Sequence, residues 1–319
     1  MTAEPVRWGI LGTGHINNRF LAGVRLSGAV DIAVVGSRTP ARAAAFAERH
    51  GIGRIHGSYE ELLADPTVEA VYITLPNTLH HEWTLRAVAA GKHVLCEKPY
   101  SRHPAEVDEA FDAADEAGLI LSEAFMWRHH PQVRHLVESL PAIGELQAIR
   151  ATFSYVQEGA ADIRLRPDLD GGSLMDVGCY CVSGARVIAR EEPDVVFGMA
   201  AAGPTGVDIR FTGLLHFPSG VVAEFAAGFT STHRSLEAIG RDGSVRLTNP
   251  WQSRPVSIVR DGVETPLEPE DFYQLELEDF GRAIRGDGQP LLGRADALGQ
   301  ARTLDALLRS AETGQPIRL

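Results

Sequence analysis

The chain has 319 residues, 44% of them hydrophobic, which is more than a single compact core uses and enough to build two. Its 42 acidic against 30 basic side chains give a formal charge of −12, spread along the sequence, which argues against a phosphate-backbone partner and excludes nucleic acid. No stretch reaches the roughly 18 uninterrupted apolar residues of a membrane span. The start lacks the basic-then-apolar run of a secretory leader. Cys96, Cys179 and Cys181 show no paired spacing, so neither a disulfide framework nor a metal site is expected. A cytoplasmic protein away from membranes is the expectation.

In chain order, Val6 to Leu11 reads as a short apolar strand running into Gly12 and Gly14, followed by a helical pattern through Phe20, Leu21 and Val24. A second strand, Val30 to Gly36, ends at Ser37 and Arg38. Thr39 and Pro40 then supply an N-cap and a first-turn proline for a helix to His50. The alternation continues with a helix from Tyr59 to Ala64, a strand from Ala70 to Leu75, a helix from His80 to Ala90 stopped by Gly91, a strand from Lys92 to Cys96, and a helix after Pro104. Such alternation predicts an α/β, doubly wound parallel sheet of the Rossmann type over residues 1–124.

Beyond about residue 125 the pattern changes. Leu146 to Val156, Val195 to Ala201, Val207 to Phe217 and Val221 to Thr230 are rich in β-branched and aromatic residues, and the last two are joined by the turn Pro218-Ser219-Gly220. Gly171 to Ala189 reads as helical after a double glycine, and helices close the chain around Phe272 to Arg285 and Ala295 to Ala311. Residues 125–319 are therefore expected to form an α+β domain on a large, mostly antiparallel sheet.

The first strand-turn-helix carries Gly12-Thr13-Gly14-His15-Ile16-Asn17. Gly12 permits the tight turn, Gly14 allows close approach of a pyrophosphate, and the free N–H groups of the helix start around His15 and Ile16 attract its charge. Asn17 stands where a smaller Gly or Ala is usual; it either displaces the helix or hydrogen-bonds the cofactor. An NAD site usually ends its second strand with an acid, whereas Ser37-Arg38 stands here. These residues suit the 2′-phosphate of NADP, with NAD as the other cofactor to test. Leu75, Pro76, Asn77 and His80 end one later strand and Glu97-Lys98 the next, both at the carboxyl edge where open α/β sheets bind ligands.

The segment Ala90-Gly91-Lys92-His93-Val94-Leu95-Cys96-Glu97-Lys98-Pro99 resembles the AGKHVxxEKP signature of the Gfo/Idh/MocA oxidoreductases. Glu123 to Gln132 and Gly171 to Tyr180 are similar to the corresponding segments of the NADP-dependent D-xylose 1-dehydrogenase and dimeric dihydrodiol dehydrogenase group. Asp176 and Tyr180, four apart, project from one helical face. The resemblance implies that this face meets Lys98 over the nicotinamide, and that the second sheet has an open side forming a homodimer or homotetramer. It implies hydride transfer between C1 of an aldose, or a related diol, and NADP. A keto-sugar reductase and a non-catalytic sugar sensor are the alternatives.

Oxidation of a carbinol needs a base within reach of its hydroxyl. A phenol becomes one when a neighbouring ammonium favours its ionised form. Tyr180 is then acid/base and Lys98 its polariser, or the two exchange roles, with Asp176 orienting substrate or lysine. Trp127, Arg128, Phe153 and Trp251 are candidates for the substrate wall, as are His129 and His130; core packing is the competing role for Phe153 and Trp251.

Overall fold

A computed structural model describes residues 4–159 and 162–319. The chain groups into two compact units: residues up to His129 together with Asp271–Leu298, and His130–Glu270 together with Gly299–Leu319. Sequence texture placed a single division at 124/125. The second excursion, 271–298, escapes a reading by texture because its helix is ordinary in composition and joins the first unit by packing, ion pairs and side-chain hydrogen bonds, with no strand pairing to mark it.

The first unit contains β1 (Val6–Leu11), α1 (Asn17–Val24), β2 (Val30–Gly36), α2 (Pro40–His50), β3 (Ile55–His56), α3 (Tyr59–Leu63), β4 (Ala70–Ile73), α4 (His80–Ala89), β5 (His93–Glu97), α5 (Pro104–Glu116) and β6 (Leu121–Ala124). The six strands lie in the order β3-β2-β1-β4-β5-β6, every pair parallel. The order reverses between β1 and β4, the switch point at which such sheets open a ligand crevice. Thr39 caps α2 as expected, accepting from the N–H of Arg42.

Register pairs Ile10 with Tyr72 and Tyr72 with Leu95, so side-chain alternation puts Trp8, Tyr72 and Glu97 on one face. Phe20 of α1 stacks on Tyr72 at 3.8 Å.

The second unit contains α6 (Pro131–Ser139), β7 (Leu146–Ser154), α7 (Cys179–Ala189), β8 (Val195–Ala202), β9 (Asp208–His216), β10 (Val222–Gly228), β11 (His233–Gly240), β12 (Ser244–Leu247), β13 (Ser257–Arg260) and β14 (Val263–Pro266). Thereafter α8 (Phe272–Ile284) belongs to the first unit, while 299–313 of α9 (Arg294–Thr313) and β15 (Ile317–Arg318) belong to the second. Helix α8 lays Phe280 against Trp8 at 5.4 Å and crosses α1 at Gly23, where a β-carbon would sit 2.6 Å from Cβ of Tyr273.

The second sheet has nine strands, β14-β13-β12-β11-β7-β10-β9-β8-β15, antiparallel except where β7 runs parallel to β10. Helix α7 covers one face. On the other, Met199, Leu214 and Val222 are 64%, 44% and 40% exposed, and strand register puts them on the same side. Strands β11 to β14 and helix α6 are additional to the sequence expectation; Arg234, Glu237, Arg246 and Glu264 dilute the apolar alternation that marks a strand.

One residue of α8 is out of character for its position. Glu276 is 1% exposed, on the face shared with Phe272, Tyr273, Leu277 and Phe280, and neither carboxyl oxygen meets a hydrogen-bond donor among the described residues. Burial first, then the charges of Glu97 and Asp279, push its carboxyl well above the usual range. Glu97, by contrast, accepts from the Tyr72 hydroxyl and from the N–H of Lys98 at 3.2 Å. With the folded-state pKa raised, the folded protein keeps a proton that the unfolded chain releases above the ordinary carboxyl range, so stability falls as pH rises through that interval. Glu276→Gln is therefore expected to raise the Tm at neutral pH, with the gain shrinking toward pH 4.5. Thermal unfolding across that range checks it; an equal shift at every pH contradicts it.

Candidate active site

In the first unit four loops follow the carboxyl ends of adjacent strands. After β1, Gly12 takes φ +108, and a β-carbon there would lie 2.8 Å from Oγ1 of Thr74, so only glycine fits. The crest, Gly14 and His15, is exposed at the start of α1, with Ile16 half-buried. Asn17 is fully buried, and its amide donates to the carbonyls of Gly12 (3.3 Å) and Gly14 (3.1 Å) and to Oγ1 of Thr74 (3.1 Å). Thr74 in turn donates to the Leu11 carbonyl. The Asn17 amide nitrogen thus holds the glycine turn to the end of β4, which neither of the roles inferred from sequence anticipated.

At the end of β2, Ser37 is buried and Arg38 exposed. Arg38 and Arg42, one turn into α2, both act on the Tyr59 phenol, offsetting part of the upward push that burial gives it. Arg42 is a further cation at this corner; its i+4 spacing from Arg38 was the available signal. After β4, Leu75 is buried, Pro76 half-buried, and Asn77 starts a short 3-10 turn. His80 is fully buried, with Nδ1 3.0 Å from the Pro99 carbonyl and Nε2 2.9 Å from that of Leu75. Both ring nitrogens face protein oxygens. His80, expected to bind cofactor, instead ties the loop after β4 to the loop after β5. Burial lowers its pKa, and the Lys98 charge adds to that. Lys98 itself is half-buried at the end of β5, followed by a cis bond to Pro99.

Trp127 is fully buried, and Arg128 lies 6.0 Å from its ring while forming a 3.0 Å ion pair with Asp296. Next to them, burial, then Arg128 and Arg282, push His129 down to about 3, leaving a neutral ring.

In the second unit, Leu174–Gly178 is a π-helical turn feeding directly into α7. The expected single α-helix from 171 is thus widened where Asp176 sits; π-turns of this kind recur at functional sites. Asp208, at the start of β9, accepts from the Ser173 hydroxyl (2.6 Å) and the Leu174 N–H (2.8 Å), satisfying donors at the head of that turn. Asp176 accepts from the Tyr155 hydroxyl at 2.7 Å and pairs with Nε of Arg164 at 3.1 Å. Arg164, Tyr155 and Asp208 had no motif to reveal them. Tyr180, 5% exposed, meets Phe153 edge-on at 5.2 Å and Trp251 at 5.7 Å. Trp251 stacks on Phe153 and donates to the Thr152 carbonyl. His130 caps α6, its Nδ1 accepting from the Gln132 N–H.

Replacing a buried donor by an acceptor should cost more than deleting it. Asn17→Asp, which turns a carboxylate toward the same three oxygens, is expected to lower stability by about 1–3 kcal/mol more than Asn17→Ala. Equal denaturation midpoints for the two variants would show that the amide does not hold the turn.

Residues 6–125 match the family described as oxidoreductase family, NAD-binding Rossmann fold, and 130–246 match the GFO/IDH/MocA C-terminal domain. The chain is 38% identical to a D-xylose 1-dehydrogenase (NADP(+)) of Haloferax volcanii, covering 98% of this chain and 99% of that one. It is 33% identical to a 1,5-anhydro-D-fructose reductase of Ensifer adhaerens, over 97% of each. Among solved structures, a 3-ketoreductase from Actinomadura kijaniata in complex with NADP and TDP-benzene superposes with a TM-score of 0.90 at 30% identity, covering 96% of this chain and 98% of that one. The glycine turn, the Glu97-Lys98 corner, the Asp176–Tyr180 turn and these matches agree: the chain belongs to the Gfo/Idh/MocA oxidoreductase family.

Proposed function

We propose that the protein is an NADP-dependent oxidoreductase that transfers hydride between C1 of an aldose, D-xylose being the first to try, or a related diol, and the dinucleotide. The observation that carries this is the cationic end of β2: Ser37-Arg38 in place of the acid of an NAD site, with Arg42 one turn on. The dinucleotide also suits the glycine turn, whose exposed crest leaves room for a pyrophosphate that any side chain at Gly12 would disturb.

When bound, the nicotinamide takes or returns the hydride. Arg38 and Arg42 hold the 2′-phosphate, and the N–H groups at the start of α1 hold the pyrophosphate. Tyr180 accepts the carbinol proton from the substrate oxygen during oxidation and returns it during reduction. Lys98 supplies the positive charge that favours the phenolate. Asp176, steadied by Tyr155 and Arg164, orients the substrate hydroxyls. The Haloferax relative supports an aldose, and the Ensifer and Actinomadura relatives support the reverse reaction on a keto-sugar as the second reading.

A spectrophotometric screen of pentoses, hexoses, anhydro-keto-sugars and diols with NADP(H) and NAD(H) tests the assignment; turnover with none of them rejects it. Lys98→Met and Tyr180→Phe are each expected to lower kcat about 10²–10⁴-fold while NADP binding persists. Arg38→Asp should weaken NADP while leaving NAD affinity nearly unchanged; equal losses for both cofactors would remove the 2′-phosphate assignment.

The open sheet side bearing Met199, Leu214 and Val222 is proposed to seat a second copy of the chain, giving a dimer or a dimer of dimers. Leu214→Glu is expected to shift the mass measured by light scattering toward the monomer. Three buried free cysteines suit the reducing cytoplasm, where we place the protein.

A further inference from the structure

Arg234, the second residue of β11, stands directly opposite Phe153 of β7 in an antiparallel pair, so the two side chains lie on the same face of the sheet. Its guanidinium carbon lies 5.7 Å from the centre of the Phe153 ring. That ring is the one that meets Tyr180 edge-on and stacks with Trp251. Two residues further along the chain, Tyr155 holds Asp176. A guanidinium therefore stands one aromatic ring away from the phenol assigned to proton transfer.

Unlike Arg164, which is paired with Asp176, Arg234 has no ion pair or hydrogen bond among the described residues, and its Nε–H is closed to solvent without an acceptor. The ring face of Phe153 offers a cation some attraction but no hydrogen-bond acceptor. A guanidinium is always charged and presents five donors in a planar fork, and burying part of it is unfavourable unless acceptor oxygens arrive. A carboxylate or phosphate matches the fork with two parallel hydrogen bonds, which a single sugar hydroxyl does not.

We propose that Arg234 is a specificity-determining residue that receives an anionic group on the substrate, remote from the carbon that exchanges hydride. The substrate class is then an acidic aldose, a uronate or a sugar phosphate, in preference to a neutral sugar. This rests on the assignment of hydride transfer at C1.

The test compares D-glucose, D-glucuronate and D-glucose 6-phosphate, which share the reacting end and differ at C6. Rates with NADP are measured for the wild type, Arg234→Met and Arg234→Lys, alongside calorimetric binding of glucuronate and of glucose 6-phosphate to the NADP-loaded enzyme. Wild type is expected to favour at least one anion over glucose, and the better anion identifies carboxylate or phosphate as the natural group. Arg234→Met should lower the anion-to-glucose ratio of kcat/KM on the order of tenfold to hundredfold, mainly through KM, and Arg234→Lys should restore part of it. An unchanged ratio in both variants overturns the proposal, as does binding of both anions that is insensitive to either substitution. Should Arg234→Met fail to fold, the comparison with Arg234→Lys decides, since the point charge remains and the fork is lost. Anion binding that depends on Arg234, with no turnover of any aldose by wild type, would uphold the anion site and reject the C1 reaction instead.

Discussion

The first unit depends on one buried amide. A parallel sheet delivers several loops to the same edge, but nothing in strand pairing fixes how those loops stand against each other once hydrogen-bonding between strands stops. Asn17 supplies that fix by sharing its two N–H groups among Gly12, Gly14 and Thr74, so the glycine turn and the end of β4 move as one piece. His80 makes the next link, from the end of β4 to the end of β5. A chain of side-chain contacts thus runs across the strand ends from the turn that suits a pyrophosphate to the corner that presents Lys98.

A similar division of labour marks the second unit. Phe153, Tyr180 and Trp251 form an aromatic cluster whose packing sets the position of the Tyr180 ring. The polar partners lie beside it: Tyr155 and Arg164 on Asp176, and Asp208 at the head of the turn that carries Asp176. Asp208 explains where that turn begins: its first donors find a side-chain carboxylate from β9 in place of the carbonyls of a helix upstream. The groups assigned to chemistry therefore sit on rigid elements, with aromatic packing and hydrogen bonds each setting part of the geometry.

The parallel sheet was legible because buried strands and helices alternate with short, glycine- or proline-marked joints, and because the residues after β1, β2, β4 and β5 carry their own chemistry. Gly12 and Arg38 could be picked out by type and position, and Lys98 through the stretch Ala90 to Pro99 that carries the family resemblance. His80 could be placed at the right edge, but whether a ring nitrogen turns to a ligand or to a carbonyl depends on a contact 19 residues away. Arg164, Asp208 and Arg234 were illegible for a related reason: a charged residue in a loop or at a strand end looks like a solvated one until its neighbours across the sheet are known. Trp127 and Trp251 show the converse, aromatic residues in the expected segments whose burial as core side chains only packing reveals.

The return of α8 to the first unit has a consequence for how the protein is made. The sheet face bearing Trp8 and Tyr72 is covered in part by residues that lie beyond 270 in the chain. During synthesis from the amino terminus, the dinucleotide-binding unit must wait until residues 272–284 are made before that face closes, with the other unit's nine-stranded sheet nearly all translated in the interval. A fragment ending at residue 129 would carry every loop proposed to bind the cofactor and yet expose the indole of Trp8 where Phe280 belongs. Ligand affinity and solubility would therefore part company in such a fragment, and a transplant of this unit has to carry residues 271–298 as well.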